Sequence, residues 1–358
     1  NLQFMVFLSA VVKAVDEYAD LLRTSVATPG NDHRLGANEA PPAILSVYLG
    51  EQLTDVLDGI VNGKSAASKK SGFMEVGVST LPPLPVDLSD RNRTSPFAFT
   101  GNKFEFRAVG SSQSVAPVNI ALNAAAACAL DDIATELEAS VAGGADLNSA
   151  LQQLLPRLFK EHMPIVFNGN GYAAAWPEEA ARRGLPNYHN TVDALAHYTD
   201  PEVMNVFLRH GILTEREILS RQEILLENYS KAVCIEGHLM ADMLRTSVLP
   251  PSLTAQTRAA EAVLKARAVL GEAGADSEEA AFTELRGHIV ALQQGVAALE
   301  KAVAVAQEAQ GALEQATAAR DTVLPAMKAC REHADALERL VDDELWQLPK
   351  YAELLWAH

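Results

Sequence analysis

The five residues Lys103-Phe104-Glu105-Phe106-Arg107 alternate between charged and aromatic side chains. Residues at i, i+2 and i+4 of a β-strand project from one face, so the lysine, the glutamate and the arginine share a face, and the two phenylalanines point the other way. A carboxylate beside cations suits a divalent-metal ligand among groups that hold anions. It also suits an amphipathic strand whose charged face is only solvated. The strand alone leaves both interpretations open.

Two earlier segments also concentrate charge. Arg91 and Arg93 flank a single asparagine. Because a guanidinium can grip a planar carboxylate or phosphate through two hydrogen bonds, this pair could clamp an anion, or it could form a charged surface turn. The run 31–42 holds an aspartate, a histidine, an arginine and a glutamate around a glycine. It is interpreted as a binding loop or as a polar connector between helices.

Taken in chain order, these segments resemble glutamine synthetase, and within that family the large type III form. The family places an arginine shortly before a Glu-Ala-Pro, here Arg34 before Glu39, and then an Arg-Asn-Arg. A strand that alternates glutamate and arginine follows, here with Glu105 and Arg107. The resemblance covers essentially the whole chain, and it is closest in the stretches 31–42, 90–107, 214–227 and 343–351.

The resemblance implies roles in binding glutamate and in catalysis. Arg34 and Arg107 would bind the substrate glutamate. Glu39 would be the flap carboxylate that shields the intermediate and helps to deprotonate ammonium, which makes it one of two catalytic candidates. The other is Arg93, which would lie near the transferred phosphoryl group.

The resemblance also implies ATP and a divalent metal, Mg²⁺ or Mn²⁺. Arg93 and Lys103 would contact ATP, and Glu105 would be a metal ligand. Ala98 stands where bacterial type I enzymes have a further nucleotide-contacting arginine, and the spacing from Arg34 to Glu39 is one residue shorter. These departures concern the ATP contacts more than the reaction.

The implied reaction is the ATP-dependent ligation of ammonia to L-glutamate through a γ-glutamyl phosphate. A glutamate–amine ligase of the same superfamily and a non-catalytic helical assembly protein are the alternatives. The chain opens with Asn1 and has no Glu-x-Glu pair before Arg34. We therefore expect a fragment that lacks the N-terminal half of the enzyme and is inactive by itself.

The elements that must position these residues are predicted from hydrophobic periodicity. Thr214 and Glu217 form a predicted capping box. An alanine-rich region, 255–345, is broken at Gly271–Gly274 and predicts long antiparallel helices. The other predicted elements are a buried helix (2–23), a second helix (41–61), strands at 75–78 and 103–108, two helices (117–141 and 147–161), an irregular region (162–200) and a long helix (214–248).

The fold class expected from these elements and from the resemblance is α+β. Residues 1–140 would be the C-terminal part of a glutamine synthetase catalytic domain, with few antiparallel strands and packed helices. Residues 141–358 would be the helical type III C-terminal region. The resemblance further implies a homo-oligomer, a dodecamer of two stacked hexameric rings.

The composition indicates which kinds of partner and which compartment we expect for the protein. The formal net charge is −17 at pH 7, which argues against nucleic acid and anionic membranes because cationic side chains drive such binding. The three cysteines lie far apart, which argues against a disulfide scaffold and suits a reducing compartment. Charges interrupt every apolar run before the ~18–20 residues of a membrane span. We expect a cytoplasmic protein with no membrane partner.

Overall fold

The computed structural model divides the chain into two compact units, Asn1–Gln222 and Glu223–His358. The sequence-based division near residue 140 follows family resemblance and not packing, and it stays a prediction. The residues that the structure describes are 1–37, 40–63, 73–74, 84–85, 95–271 and 274–356, with the backbone alone at 73–74 and 84–85.

The first unit begins with two apolar helices, α1 (Leu2–Glu17) and α2 (Ala19–Ser25). Tyr18 separates them, with a non-helical φ of −114° and ψ of 29°. The predicted helix at 2–23 is therefore confirmed as two consecutive helices. A short helix, α3 (Pro29–Asp32), leads into the rest of the run 31–42, which is called the polar segment below. Fully buried side chains hold α1 and α2 to the core: Leu8, Val12, Val15, Leu21 and Leu22.

The predicted helix at 41–61 is wrong in its first half. Residues 43–50 are all buried, and within them lies the strand β1 (Val47–Tyr48). A nearly continuous apolar run of this kind is typical of a strand covered on both faces. Gly50, at φ 79°, then allows the turn into α4 (Glu51–Val61), where the helix begins.

Three short strands form the sheet that includes Glu105. β4 (Phe97–Phe99) pairs parallel with β1 and antiparallel with β5 (Phe104–Phe106). The strand predicted at 103–108 is confirmed at 104–106. The expected antiparallel strands form a mixed sheet instead, because the chain crosses over through α4 between the parallel strands β1 and β4. A separate antiparallel pair joins β2 (Phe73–Met74) to β3 (Leu84–Pro85). The strand predicted at 75–78 lies outside the described residues.

The phenylalanines of β5 pack against the core, as the alternation predicts. The rings of Phe97 and Phe104 stack at a centroid distance of 5.1 Å, and those of Phe97 and Phe106 lie 5.8 Å apart. Because these rings pack on one face of β5, the Glu105 side chain projects from the opposite face.

Helices complete the first unit. The predictions at 117–141 and 147–161 are confirmed, whereas the irregular region at 162–200 contains two short helices. Each has fewer than eight residues, too few to show a periodic pattern. The helices are α5 (Ala116–Ala142), α6 (Leu147–His162), α7 (Trp176–Arg182), α8 (Thr191–Ala196) and α9 (Pro201–Leu208).

The boundary between the units falls within α10 (Glu215–Met243). The predicted capping box is confirmed: the Thr214 N–H and hydroxyl both donate to Glu217 Oε2 at 2.8 Å. The second unit continues with π-helical turns at 244–248 and 319–323. Its helices are α11 (Leu249–Leu270), α12 (Asp276–Glu308), α13 (Ala312–Ala318), α14 (Leu324–Leu340) and α15 (Tyr351–Leu354).

α12 is the central helix of the second unit and packs against α11 and α14. Among the described residues it is also the one helix long and apolar enough to cross a membrane, on length and composition alone. One such helix is weak evidence, because the core helix of a soluble bundle passes the same test. The absence of a membrane partner stays a prediction. The buried stripe of α12 consists of Leu285, Ile289, Leu292, Val296, Leu299, Val303 and Ala306.

Candidate active site

A cavity of about 190 Å³ lies in the first unit, between the polar segment that follows α3 and the end of β5. Of the described residues, three arginines line it: Arg23 from α2, Arg34 from the polar segment and Arg107 after β5. Much of the remaining wall is apolar, and it includes Val26, Leu35, Pro41, Pro42, Ala43 and Leu45. An anionic molecule with a short aliphatic middle matches such a lining.

Arg34 and Arg107 lie side by side. Arg34 Nη2 donates to the backbone oxygen of Arg107 at 2.8 Å, so two segments 73 positions apart are tied together. Arg107 Nη2 donates to the Ser95 backbone oxygen at 2.9 Å, and Ser95 Oγ donates to the Phe167 backbone oxygen at 2.7 Å. These bonds hold both guanidinium groups at the cavity wall.

Asn31 is the buried polar group that joins the walls of this site. Its Nδ2 donates to the backbone oxygens of Val26 and Ala108, both at 2.8 Å, and its Oδ1 accepts from Arg34 Nη1 at 3.3 Å. Only 1% of Asn31 is exposed. Sequence reasoning did not single it out, since one asparagine in a polar run gives no signal of its long-range partners.

We expect Asn31→Ala to lower the free energy of unfolding by about 2–4 kcal/mol, because two buried carbonyl oxygens lose their donor. Urea unfolding followed by circular dichroism measures this loss. Asn123→Ala is the matched control, since the exposed Asn123 amide donates within α5 to the Asn119 backbone oxygen. Equal losses in the two variants would contradict the role assigned to Asn31.

Lys103 and Glu105 form an ion pair, with Lys103 Nζ 3.4 Å from Glu105 Oε1. Their side chains are 63% and 26% exposed, and neither residue lines the cavity. Glu105 could supply one oxygen to a divalent ion. Within the part of the chain that the structure describes, however, no group of three or more His, Cys, Asp or Glu residues could hold a metal ion. Glu105 therefore fits as one ligand of an incomplete set.

Two of the six predicted site residues, Glu39 and Arg93, lie outside the described residues, as does Arg91. Ala98 is fully buried in β4, where it pairs in register with Glu105. The structure thus brings Arg34 and Arg107 together at one cavity, with Glu105 on β5, which leads to it, and Lys103 directly before that strand.

Arg23 is the cavity residue that sequence reasoning missed. It is 2% exposed, and its Nε donates to the Tyr188 backbone oxygen at 3.0 Å. Burial lowers the pKa of this guanidinium, while the charges of Asp32 and Asp193 act in the opposite direction. Burial also raises the pKa of Asp32, which accepts hydrogen bonds from the Thr191 N–H and hydroxyl. An arginine within an apolar helix shows no motif that could have marked it.

Comparisons with known proteins agree with the resemblance. Residues 150–267 match the family model of the glutamine synthetase C-terminal domain. The chain is 40% identical over 364 residues to the type-3 glutamine synthetase of Dictyostelium discoideum. This alignment covers 99% of the chain and 49% of that protein. It is 39% identical over 366 residues to the glutamine synthetase of Bacteroides fragilis (strain YCH46), covering 100% of the chain and 50% of that protein.

A third relative, the glutamine synthetase of Butyrivibrio fibrisolvens, is 37% identical over 365 residues, with 100% of the chain and 50% of that protein covered. The chain spans about half the length of the curated relatives it matches. Along its whole length the chain is thus similar to glutamine synthetases, and its residues 150–267 match the glutamine synthetase C-terminal domain.

Proposed function

We propose that this chain contributes the glutamate-binding part of an active site that joins ammonia to L-glutamate at the expense of ATP. The observation that carries the proposal is the pairing of Arg34 with Arg107 in one small cavity. A carboxylate held by guanidinium groups in a partly apolar cavity is oriented as well as neutralised. The similarity to glutamine synthetases supports the reaction class.

The proposed reaction has two steps. An oxygen of the glutamate γ-carboxylate attacks the γ-phosphorus of ATP, ADP leaves, and a γ-glutamyl phosphate forms. The nitrogen of ammonia then attacks the carbonyl carbon of the acyl phosphate, the bond from that carbon to the phosphate oxygen breaks, and inorganic phosphate leaves with the formation of glutamine. Ammonium loses one proton before the attack, and the nitrogen loses another after it.

The chain's own contribution is to bind and orient. In the proposal Arg34 and Arg107 hold a substrate carboxylate at the cavity, and Lys103 contacts ATP. Arg93 stabilises the transferred phosphoryl group, and Glu39 accepts a proton from ammonium. The last two roles are supported by the resemblance alone, since both residues lie outside the described part of the chain.

A divalent ion, Mg²⁺ or Mn²⁺, would neutralise phosphate charge in such a reaction. Glu105 is the residue of this chain proposed to hold it, and its carboxylate oxygens suit a hard cation. The remaining ligands would come from residues other than the described ones. We further propose a cytoplasmic homo-oligomer of two hexameric rings, which the resemblance to glutamine synthetase alone supports.

Lysine substitution of either clamp arginine tests the proposal. In a protein extended to the length of the curated relatives, we expect Arg34→Lys or Arg107→Lys to raise the KM for glutamate about tenfold to a hundredfold. The KM for ATP should change far less. Lysine keeps the charge but loses the two-pronged grip on a carboxylate. Steady-state assays of phosphate release with each substrate varied give both constants.

Arg157→Lys is the control for that experiment. Arg157 lies on α6 and pairs with Glu136 and Glu161 at the exposed surface, so its replacement should leave both constants unchanged. Equal rises in the two KM values for the clamp variants would count against a glutamate clamp. Comparing ammonia with other amines in the same assay separates the ammonia ligase from a glutamate–amine ligase.

A further inference from the structure

Arg23 is a buried cation whose terminal nitrogens have no acceptor among the described residues. Its Nε donates to the Tyr188 backbone oxygen at 3.0 Å, which fixes the side chain in place. Neither Nη1 nor Nη2 has a hydrogen-bond partner within the part of the chain that the structure describes. Leaving charged donors unsatisfied away from water is costly, and proteins do so mainly where a ligand or a function requires it.

Nearby carboxylates do not offset this cost. Asp32 and Asp193 attract Arg23, but their effect on its pKa is smaller than the opposing effect of burial. The Asp32 oxygens accept from the Thr191 N–H at 3.0 Å and from its hydroxyl at 2.7 Å. Asp193 accepts from Asn190 Nδ2 at 2.6 Å. The four Nη hydrogens of Arg23 therefore remain available.

Arg23, whose terminal nitrogens are buried, also lines the cavity of the two clamp arginines. Arg34 and Arg107 already donate to backbone oxygens from that wall. Arg23 uses only its Nε–H in a hydrogen bond within the described fold. An anion bound in the cavity could accept hydrogen bonds from its Nη1 and Nη2. The gain is large because a charge-assisted hydrogen bond in a water-poor site is stronger than one at the surface.

We propose that Arg23 binds a carboxylate of the substrate in this cavity, as a third arginine beside Arg34 and Arg107. The inference rests on the proposed function, because it takes the cavity to be the glutamate site. A substrate with a carboxylate at each end and an aliphatic chain between them matches three guanidinium groups set in an apolar wall. The rival role for Arg23 is purely structural, as the anchor of the segment at Tyr188.

The test replaces Arg23 in a protein extended to the length of the curated relatives. Arg23→Met keeps the length of the side chain and removes its charge and its donors. We expect the KM for glutamate to rise about tenfold or more, with the KM for ATP within about twofold of the parent value. Arg23→Lys keeps the charge but not the fork, so its rise should be smaller.

Thermal unfolding supplies a readout that separates the two roles. Without substrate, the unfolding midpoint of Arg23→Met should not fall, because an apolar side chain replaces a buried, unsatisfied cation. Glutamate should raise the midpoint of the parent protein and should raise that of the variant much less. A lower midpoint combined with equal changes in both KM values would overturn the proposal in favour of the structural role.

Arg183→Met is the matched control. Arg183 Nη1 donates to the Val166 backbone oxygen at 2.8 Å, and its other terminal nitrogen pairs with Glu179, so its donors are satisfied within the fold. Its loss should lower the midpoint and leave the KM for glutamate unchanged. An unchanged glutamate KM in Arg23→Met beside a raised one in Arg34→Lys would overturn only the Arg23 proposal. Unchanged values in both would overturn the proposed function as well.

Discussion

The 358-residue chain, purified by itself, is expected to form no glutamine from ATP, Mg²⁺, glutamate and ammonia. It offers one proposed metal carboxylate, Glu105, and the described residues contain no group of three His, Cys, Asp or Glu side chains that could hold a metal ion. Phosphoryl transfer needs several oxygen ligands around its divalent ions. The arginine cavity is proposed to bind and orient glutamate, but the described residues that line it include no carboxylate that could hold those ions.

The measurement is the formation of labelled glutamine by the isolated chain, beside a protein extended to the length of the curated relatives. Far-ultraviolet circular dichroism should show a helical spectrum for the isolated chain, because the second unit consists of long packed helices. That signal separates missing active-site groups from global unfolding. Glutamine formation by the isolated chain at the rate of the extended protein would show that the site has been misplaced.

Local patterns predicted the elements that carry strong periodicity. The period-two alternation of β5 and the capping box at Thr214 are both seen in the structure. The long helices of the alanine-rich region are also confirmed, with a break between α11 and α12. In each case the signal lies within a few neighbouring residues, so that no distant partner is needed to interpret it.

The segment at 41–50 shows where such patterns fail. Its apolar run fits a buried helix and a buried strand equally well, and the two prolines favoured the start of a helix. The outcome depends on β4, whose Phe97 pairs with Val47 and lies 50 positions further along the chain. The parallel pairing between β1 and β4 could not be predicted either, because it depends on the path that the chain takes through α4.

The residues of the candidate site likewise fall into those that the sequence predicted and those that only the structure revealed. The resemblance selected Arg34 and Arg107, and the structure places them at one cavity. It could not select Asn31 or Arg23, whose importance comes from partners far away in the chain and from burial. A family motif identifies the residues that touch substrate in known relatives, whereas a buried donor without an acceptor is visible only in three dimensions.

Glu105→Gln should remove most of the turnover of a protein extended to the length of the curated relatives. The substitution keeps the size and shape of the side chain while it removes one anionic oxygen ligand. Loss of a residue that only orients a metal ligand costs about tenfold to a hundredfold in metal affinity or activity, so loss of a ligand should cost at least about a hundredfold in turnover. The free energy of unfolding should hardly change, because the Lys103 side chain is 63% exposed and an ion pair with such an exposed lysine contributes little to stability.

Two measurements check this prediction: steady-state turnover, and titration of Mn²⁺ or Mg²⁺ by calorimetry in the absence of substrates. Glu136→Gln is the control, since Glu136 is an exposed carboxylate of α5 that pairs with Arg157 and lies outside the proposed site. It should bind metal and turn over like the parent. If Glu105→Gln retained the metal affinity and turnover of the parent, the charged face of β5 would be a solvated surface, which is the interpretation that its alternating sequence alone leaves open.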